Sequence, residues 1–210
     1  MLNLSCPQEQ LYEAVQIVSH GVSGRSTQPV QNNIYLESNG DGLRLVATDL
    51  EFISLEAQID AGVGDQGAVT VPARLLTEVV GSLAGEEITL EADEQSTLGV
   101  NSARSSFRIR GMSAADFEML PEMDDPAQFE IPQRDMHAIL SQTVFATSRD
   151  ETRPILTGAL FNITPGGIDV VATDTYRLAL RKMTADIPID EARSAIISER
   201  GIARAPFAPA

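Results

Sequence analysis

The tetrapeptide Val-Ala-Thr-Asp occurs twice, as Val46-Ala47-Thr48-Asp49 and as Val171-Ala172-Thr173-Asp174, and the 125-residue offset between the copies extends well beyond them. Without a gap it sets Thr27 on Thr152, Pro29 on Pro154, Gly42 on Gly167 and Leu55 on Leu180, and it sets Leu11, Val15 and Val22 on Met136, Leu140 and Thr147. Self-similarity at a long fixed period marks a duplicated structural unit, and a unit of this length is an ordinary domain. The fold must therefore be one that the chain can build once and begin again.

Periodicity within the first unit says what is being repeated. Residues 1–5 alternate as a short strand. Pro7 suits a first helical turn, and Leu11, Val15, Val18 and Val22 form one apolar helical stripe that Gly21 and Gly24 end. Strand patterns follow at 30–37, 43–48 and 51–59, the first two separated by Ser38-Asn39-Gly40-Asp41-Gly42, a strong hairpin signal. Val69-Thr70-Val71 is a fourth strand. Pro72 opens a second helix through Leu75, Leu76, Val79, Val80 and Leu83, and strands at 87–92, 96–101 and 104–110 complete the set. The order strand, helix, three strands thus occurs twice inside one unit, joined by hairpins, which predicts an α+β fold with helices packed on antiparallel sheet.

Gly111, Pro121, Pro126 and the acidic run Glu122-Met123-Asp124-Asp125 read as a linker. We divide the chain there, into 1–125 and 126–210. The pattern then restarts with a strand at 127–131, a helix at 133–147 carrying Met136, Ile139, Leu140 and Val144, and strands at 156–163, 167–173, 176–184 and 195–198. The second unit is expected to stop about two-thirds of the way through, leaving Ile187, Ile189, Ile196 and Ile197 partly exposed and open to association.

Composition narrows the function. The formal net charge is −15, and one lysine stands against fourteen arginines, which argues against tight phosphate-driven binding of nucleic acid through a local basic patch. A single cysteine, Cys6, forms no internal disulfide and fits a reducing compartment. The N-terminus lacks the basic start and apolar run of a signal peptide, no apolar run is long enough to span a bilayer, and Asn162-Ile163-Thr164 is read as a chance sequon. The expected location is cytoplasmic, with no membrane partner. Gly62-Val63-Gly64-Asp65-Gln66-Gly67 fits GxGxxG but joins two strands instead of opening a helix, so no dinucleotide site is expected. His20, His137 and Cys6 lack metal-ligand spacing, and Asp49 and Asp174, as equivalent positions of two repeats, are a domain length apart. We expect no catalytic residue, no metal and no cofactor.

Two longer segments resemble a known family. Thr152-Arg153-Pro154-Ile155-Leu156-Thr157-Gly158 and Val171-Ala172-Thr173-Asp174-Thr175-Tyr176-Arg177-Leu178-Ala179 are similar to the bacterial sliding clamps, the beta subunits of DNA polymerase III, with support from Gly24-Arg25-Ser26-Thr27-Gln28-Pro29, Val71-Pro72-Ala73-Arg74 and Ala114-Ala115-Asp116-Phe117. The resemblance covers residues 1 to about 202, the family's N-terminal domain and most of its central domain, and Ser198 stands where the family pattern has Pro. It implies a non-catalytic processivity factor. In the family, two three-domain subunits form a homodimeric ring around duplex DNA, without sequence preference. By that resemblance Leu156, Thr173, Thr175, Tyr176, Arg177 and Leu178 line part of a cleft for short peptides from the polymerase III catalytic subunit, the clamp loader and repair polymerases. Arg25, Arg74, Arg134, Arg149 and Arg153 face DNA, with Arg200 beside an inner helix, and Arg104, Phe107 and Ile109 lie at the subunit interface. The residues alone favour core for Leu156 and Leu178, and leave Phe107 and Ile109 equally readable as core or edge. Two rivals stand beside the clamp reading: a stand-alone peptide-binding module that never encircles DNA, and a metal-dependent nuclease using Asp150, Glu151 and Asp174.

Overall fold

The computed structural model describes residues 1–22, 29–40, 42–50, 53–83, 87–119, 129–150 and 152–204, with backbone alone at 203–204. Arg25, Glu151 and the acidic linker run fall outside the described residues. The chain forms two compact units, residues 1–120 and 121–210, built from helices and antiparallel sheets, and no helix among the described residues is long and apolar enough to cross a membrane.

In the first unit, strand β1 (Leu2–Pro7) runs into helix α1 (Gln8–Ser19), followed by β2 (Asn33–Asn39), β3 (Gly42–Thr48), β4 (Ser54–Asp60), β5 (Gly62–Asp65) and β6 (Gly67–Pro72). Helix α2 (Ala73–Ser82) and strands β7 (Glu87–Ala92), β8 (Thr97–Ser102) and β9 (Ser105–Arg110) complete it. The two sheets have the orders β5-β1-β7-β8-β9 and β4-β3-β2-β6. Each sheet thus takes three consecutive strands from one half of the unit and the opening strand of the other half, with β5 added at the edge of the first, so neither half can bury its apolar face alone.

The core follows the predicted stripe. Leu11, Ala14, Val15 and Val18 of α1 and Ala73, Leu76 and Val80 of α2 are buried with Leu2, Leu4, Ile34, Leu36, Leu45 and Leu90. Each buried Leu, Ile or Val among them contributes roughly 1.5–3 kcal/mol. Gly81 lets the helices close: a Cβ there would come 2.9 Å from the Tyr12 ring. Gln8 Nε2 donates to the Val80 carbonyl at 2.9 Å, and the Ser19 and Thr77 hydroxyls lie 3.2 Å apart, fixing the register of the pair.

Several expectations change here. Leu75 faces solvent, because α2 buries a narrower stripe than its apolar residues suggest. The glycine run 62–67 is no loop: β5 pairs with β1 in a bulged antiparallel ladder (Asn3↔Asp65, Leu4↔Val63), since a bare sheet edge supplies main-chain partners whatever the side chains. Gly62 pairs with Ser5 in that ladder, and Gly64 is the residue at the bulge.

The second unit has helix α3 (Gln133–Thr143), strands β10 (Gly158–Thr164), β11 (Gly167–Thr173), β12 (Leu178–Thr184) and β13 (Arg193–Ser198), and the short helix α4 (Glu199–Arg204). Its sheet runs β12-β11-β10-β13, matching β4-β3-β2-β6 of the first. The third change is that residues 129–131, inside the strand expected at 127–131, are not in a strand. Their counterpart β1 is held between β5 and β7, and the described residues of this unit offer no second sheet to join. Phe129 and Ile131 instead pack on a core of Ile139, Leu140, Phe161, Ile168, Val170 and Ile202. Ile187, expected to be exposed, is buried there, its N–H donating to the Pro165 carbonyl at 3.1 Å. Ile196 and Ile197 are exposed.

The ladders also correct the equivalence of Leu55 with Leu180. Val46 pairs with Glu56 and Val171 with Leu180, so Leu180 takes the place of Glu56. The β3–β4 turn is one residue longer than the β11–β12 turn, and a one-residue slip moves a side chain to the other face of the sheet.

Candidate functional site

The β11–β12 turn is stiffened by its own polar atoms. Thr173 Oγ1 donates to the Arg177 carbonyl at 2.7 Å, and Thr175 N donates to Thr173 Oγ1 at 3.1 Å. The amides of Tyr176 and Arg177 both donate to Asp174 Oδ1, at 3.0 and 2.9 Å, and Arg177 Nε donates to Asp174 Oδ2 at 3.0 Å. The Arg177 amide first, then that of Tyr176 and the Arg177 guanidinium, hold the Asp174 carboxyl below the ordinary carboxylate range against some desolvation. Thr175 pays with a left-handed φ of 80°, an uncommon state for a β-branched residue.

From this turn Arg177 reaches the 3-10 turn after α3. Its Nη2 donates to the Phe145 carbonyl at 2.7 Å, and its guanidinium carbon lies 5.5 Å from the centroid of the Phe145 ring. The unit also exposes large apolar groups: on the same turn and strand Tyr176 is 95% accessible and Leu178 66%, Phe145 beneath the guanidinium is 59% accessible, and Ile155, on the Pro154–Thr157 turn, 71%. Leu156 is half-buried in the 3-10 turn Pro154–Thr157 that leads into β10, and its carbonyl accepts from Ser148 N at 2.8 Å. Thr173, Thr175, Tyr176, Arg177 and Leu178 are thus gathered on one corner, while Leu156 sits on a separate element. Phe145 and Asp174 were missed as members of this group. The signal for Phe145 is a bulky aromatic just past the apolar stripe of α3; for Asp174 it is the Asp-x-x-Arg spacing within a hairpin.

Of the arginines expected at DNA, the four among the described residues are exposed, and three of them are loosely paired. Arg74 Nε meets Glu78 at 2.9 Å, Arg134 Nε meets Asp135 at 3.5 Å and Arg153 Nε meets Asp150 at 2.8 Å. Arg149 makes no ion pair among the described residues. Such exposed pairs hold their cations weakly, so a phosphate could replace the carboxylate at little cost. Arg74 lies on α2 of the first unit, and Arg134, Arg149 and Arg153 lie on α3 and the segment that follows it in the second.

At the β9 edge, Phe107 is 39% exposed, but Ile109 is buried against the main core. Both point to the core side, opposite Val100 and Leu98, and the core runs out before it reaches Phe107. Ile109 is therefore a core residue, and Arg104 lies in the β8–β9 turn, just before the last strand.

Of the nuclease rival's carboxylates, Asp150 and Asp174 are occupied. Asp150 accepts from the Thr152 hydroxyl at 2.6 Å and from Thr152 N at 3.0 Å, contacts that with Arg153 keep it below its ordinary range. Asp174 closes its own turn. Among the described residues no three His, Cys, Asp or Glu side chains gather as a metal would require. Cys6 is buried, and burial with the nearby Glu87 pushes its thiol up to about 12, far from a reactive thiolate.

Comparison with known proteins bears directly on this geometry. The family model for the DNA polymerase III beta subunit, N-terminal domain, matches residues 2–121, and that for its central domain matches residues 130–206. The beta sliding clamp of Bacillus subtilis is 31% identical over 209 residues, covering 96% of this chain and 55% of its own. That of Synechocystis is 34% identical over 203 residues, covering 93% and 52%. Among solved structures, the Bacillus subtilis DNA polymerase sliding clamp aligns with a TM-score of 0.92 at 29% identity, over 98% of this chain and 56% of that one. A Pseudomonas aeruginosa clamp bound to griselimycin aligns with a TM-score of 0.86 at 31% identity, over 97% and 55%. The chain spans about half the length of the relatives it matches.

Proposed function

The chain belongs to the DNA polymerase III beta subunit family, and from that membership we propose that it serves as part of a DNA-encircling processivity factor in the cytoplasm. In this reading it has no catalytic residue of its own. It acts mechanically: a ring containing it slides on duplex DNA and tethers the polymerase III catalytic subunit, the clamp loader and repair polymerases by their short peptide segments. The observation that carries the reading is the exposed corner at Tyr176, Arg177 and Leu178. It presents apolar groups around a guanidinium already held by Asp174 and the Phe145 carbonyl. A peptide landing there finds preformed contacts and loses little freedom in ordering them. An aromatic or aliphatic anchor would bury against Leu178, Ile155 and Phe145.

Arg25, Arg74, Arg134, Arg149 and Arg153 would meet phosphates without reading sequence. The overall charge of −15 is compatible with this, because a ring retained by topology needs only weak contact. Arg104, Phe107 and the free main-chain edge of β9 would supply the homodimer contact. These 210 residues match two domains of the family, so this stretch alone is proposed to contribute to a ring without closing one.

The test has two arms. A labelled peptide copying the clamp-binding segment of a polymerase III catalytic subunit should bind this chain, and Tyr176→Ala with Leu178→Ala should remove the binding. A chimera carrying residues 1–202 in place of the matching domains of the Bacillus subtilis clamp should support processive primer extension on a circular template. Peptide binding with a chimera that never raises processivity would favour the stand-alone peptide module. Loss of both would sink the clamp reading.

A further inference from the structure

The 3-10 turn after α3, Val144–Ala146, ends in a way that joins two other elements of the second unit. Thr147 N and Thr147 Oγ1 both donate to the Val144 carbonyl, at 3.1 and 2.9 Å. One more step of the same turn would have Ser148 N donate to the Phe145 carbonyl, three residues back. Ser148 N donates instead to the Leu156 carbonyl at 2.8 Å, on the Pro154–Thr157 turn. The Phe145 carbonyl thereby loses its 3-10 partner, and a carbonyl orphaned at a helix end needs another donor. Arg177 Nη2 is that donor, at 2.7 Å. A single turn end therefore reaches the Leu156 turn through an amide and the Asp174 corner through a carbonyl.

The Phe145 ring has no place in the core. Its neighbours Val144 and Ala146 pack there with Ile139 and Leu140 of α3, while the Phe145 ring lies under the Arg177 guanidinium, 5.5 Å from carbon to centroid. Asp174 Oδ2 holds the same guanidinium through Nε at 3.0 Å. A carboxylate, a carbonyl and a ring thus fix one long side chain, which would otherwise sample many rotamers that a ligand would have to order. The first unit has neither member of this pair. There the turn closes with Thr48 on Ile53, and the 125-residue offset sets His20 on Phe145.

We propose that Phe145 is a positioning residue for the peptide corner. Its carbonyl and its ring hold Arg177 in the geometry that a ligand meets, and the same turn end, through Ser148, keeps the Leu156 turn in register with the arginine. Phe145 acts on the peptide through Arg177. Any apolar contact between the ring and a peptide is a separate effect. The role rests on the peptide-binding reading of the corner, because ordering a side chain in advance matters only where something lands.

The experiment has two arms. In the first, NMR follows the Arg177 side chain of the free protein. Phe145→Leu keeps the carbonyl and an apolar side chain outside the core. It should remove the ring-current shift of the Arg177 δ protons and make the Arg177 Nε–H more mobile, with the β10–β11 ladder still protected. Phe145→Trp, whose ring holds a cation better, should keep the arginine ordered. The second arm measures affinity for the labelled clamp-binding peptide by titration to millimolar concentration. Phe145→Leu should weaken binding about fivefold when Arg177 is present, and by less than about twofold in the Arg177→Ala background. Phe145→Trp should bind at least as well as the unaltered chain. An equal loss in both backgrounds would make Phe145 a direct contact and overturn the positioning role. Arg177 signals indifferent to Phe145→Leu would overturn it too. If the unaltered chain bound no peptide, the peptide reading of the corner would fall, and the first arm alone would decide whether Phe145 orders Arg177.

Discussion

The two Val-Ala-Thr-Asp corners solve one backbone problem and then diverge. In each, the threonine hydroxyl donates to the carbonyl of the returning strand: Thr48 to Ile53 at 3.2 Å and Thr173 to Arg177 at 2.7 Å. In each, the aspartate accepts that same residue's amide, at 3.0 and 2.9 Å, and the residue after the aspartate is left-handed, Leu50 with φ 59° and Thr175 with φ 80°. Asp49 is buried and its strands are roofed by a strap, residues 111–117, whose Met112 exchanges main-chain hydrogen bonds with Thr70 and whose Phe117 packs on Tyr35 and Val46, whereas the Asp174 corner carries the exposed Tyr176 and Leu178. The tetrapeptide therefore encodes the turn, and the residues around it decide whether the turn is structure or a surface for partners.

Equivalent substitutions make that contrast measurable. Val46→Asp places a carboxylate under the strap with no partner and should destabilise the first unit by roughly 3–5 kcal/mol. Val171→Asp, paired in the second unit's sheet with the exposed Leu160 and Leu180, should cost that unit about 1 kcal/mol or less. Urea unfolding read residue by residue by NMR separates the two, since two units need not melt as one transition. Equal costs would mean that the outer face of the second unit is covered after all.

Phe117→Ala tests the roof from above. It removes a buried ring and its stack on Tyr35 and should cost about 3 kcal/mol, with faster amide exchange at Met112 while the β2–β3 ladder stays protected. Unfolding of the whole first unit at the same denaturant as before would show that the strap contributes nothing.

The sequence made much of this legible, for identifiable reasons. The repeat fixed two units, and the stripe Leu11, Val15, Val18 placed α1, because strong periodicity survives tertiary context. What it hid depended on neighbours. Gly62-Val63-Gly64 has no strand preference, and only the free edge of β1 makes it β5. Phe129 and Ile131 alternate like a strand but have no ladder to enter. Leu180 aligned with Leu55 until a turn one residue shorter moved it to the other face. At the site, the Tyr176–Leu178 corner was visible as a motif, but the reach of Arg177 to the Phe145 carbonyl, 32 residues away, has no local signature.

The smallest predicted effect concerns what holds the open corner. Asp174 has a folded-state carboxyl below its ordinary value of 3.8, so the order it imposes is fully present above that value and is lost as pH falls through the lower, folded-state one. Protection of the Tyr176 and Arg177 amides, taken against their intrinsic exchange rates, should be flat from neutral pH to about 4 and fall below it. Asp174→Ala should abolish that protection at every pH and weaken peptide binding about tenfold, with little change in the stability of the second unit. Asp174→Asn keeps an acceptor for the two amides but loses the charge that holds Arg177, and should fall between the two. Asp49→Ala, by contrast, leaves the Ile53 amide without its partner in a buried turn and should cost the first unit about 1–2 kcal/mol with no effect on peptide. If Asp174→Ala cost stability and spared peptide binding, the second corner would be a structural turn like the first, and the division of roles between the two copies would be wrong.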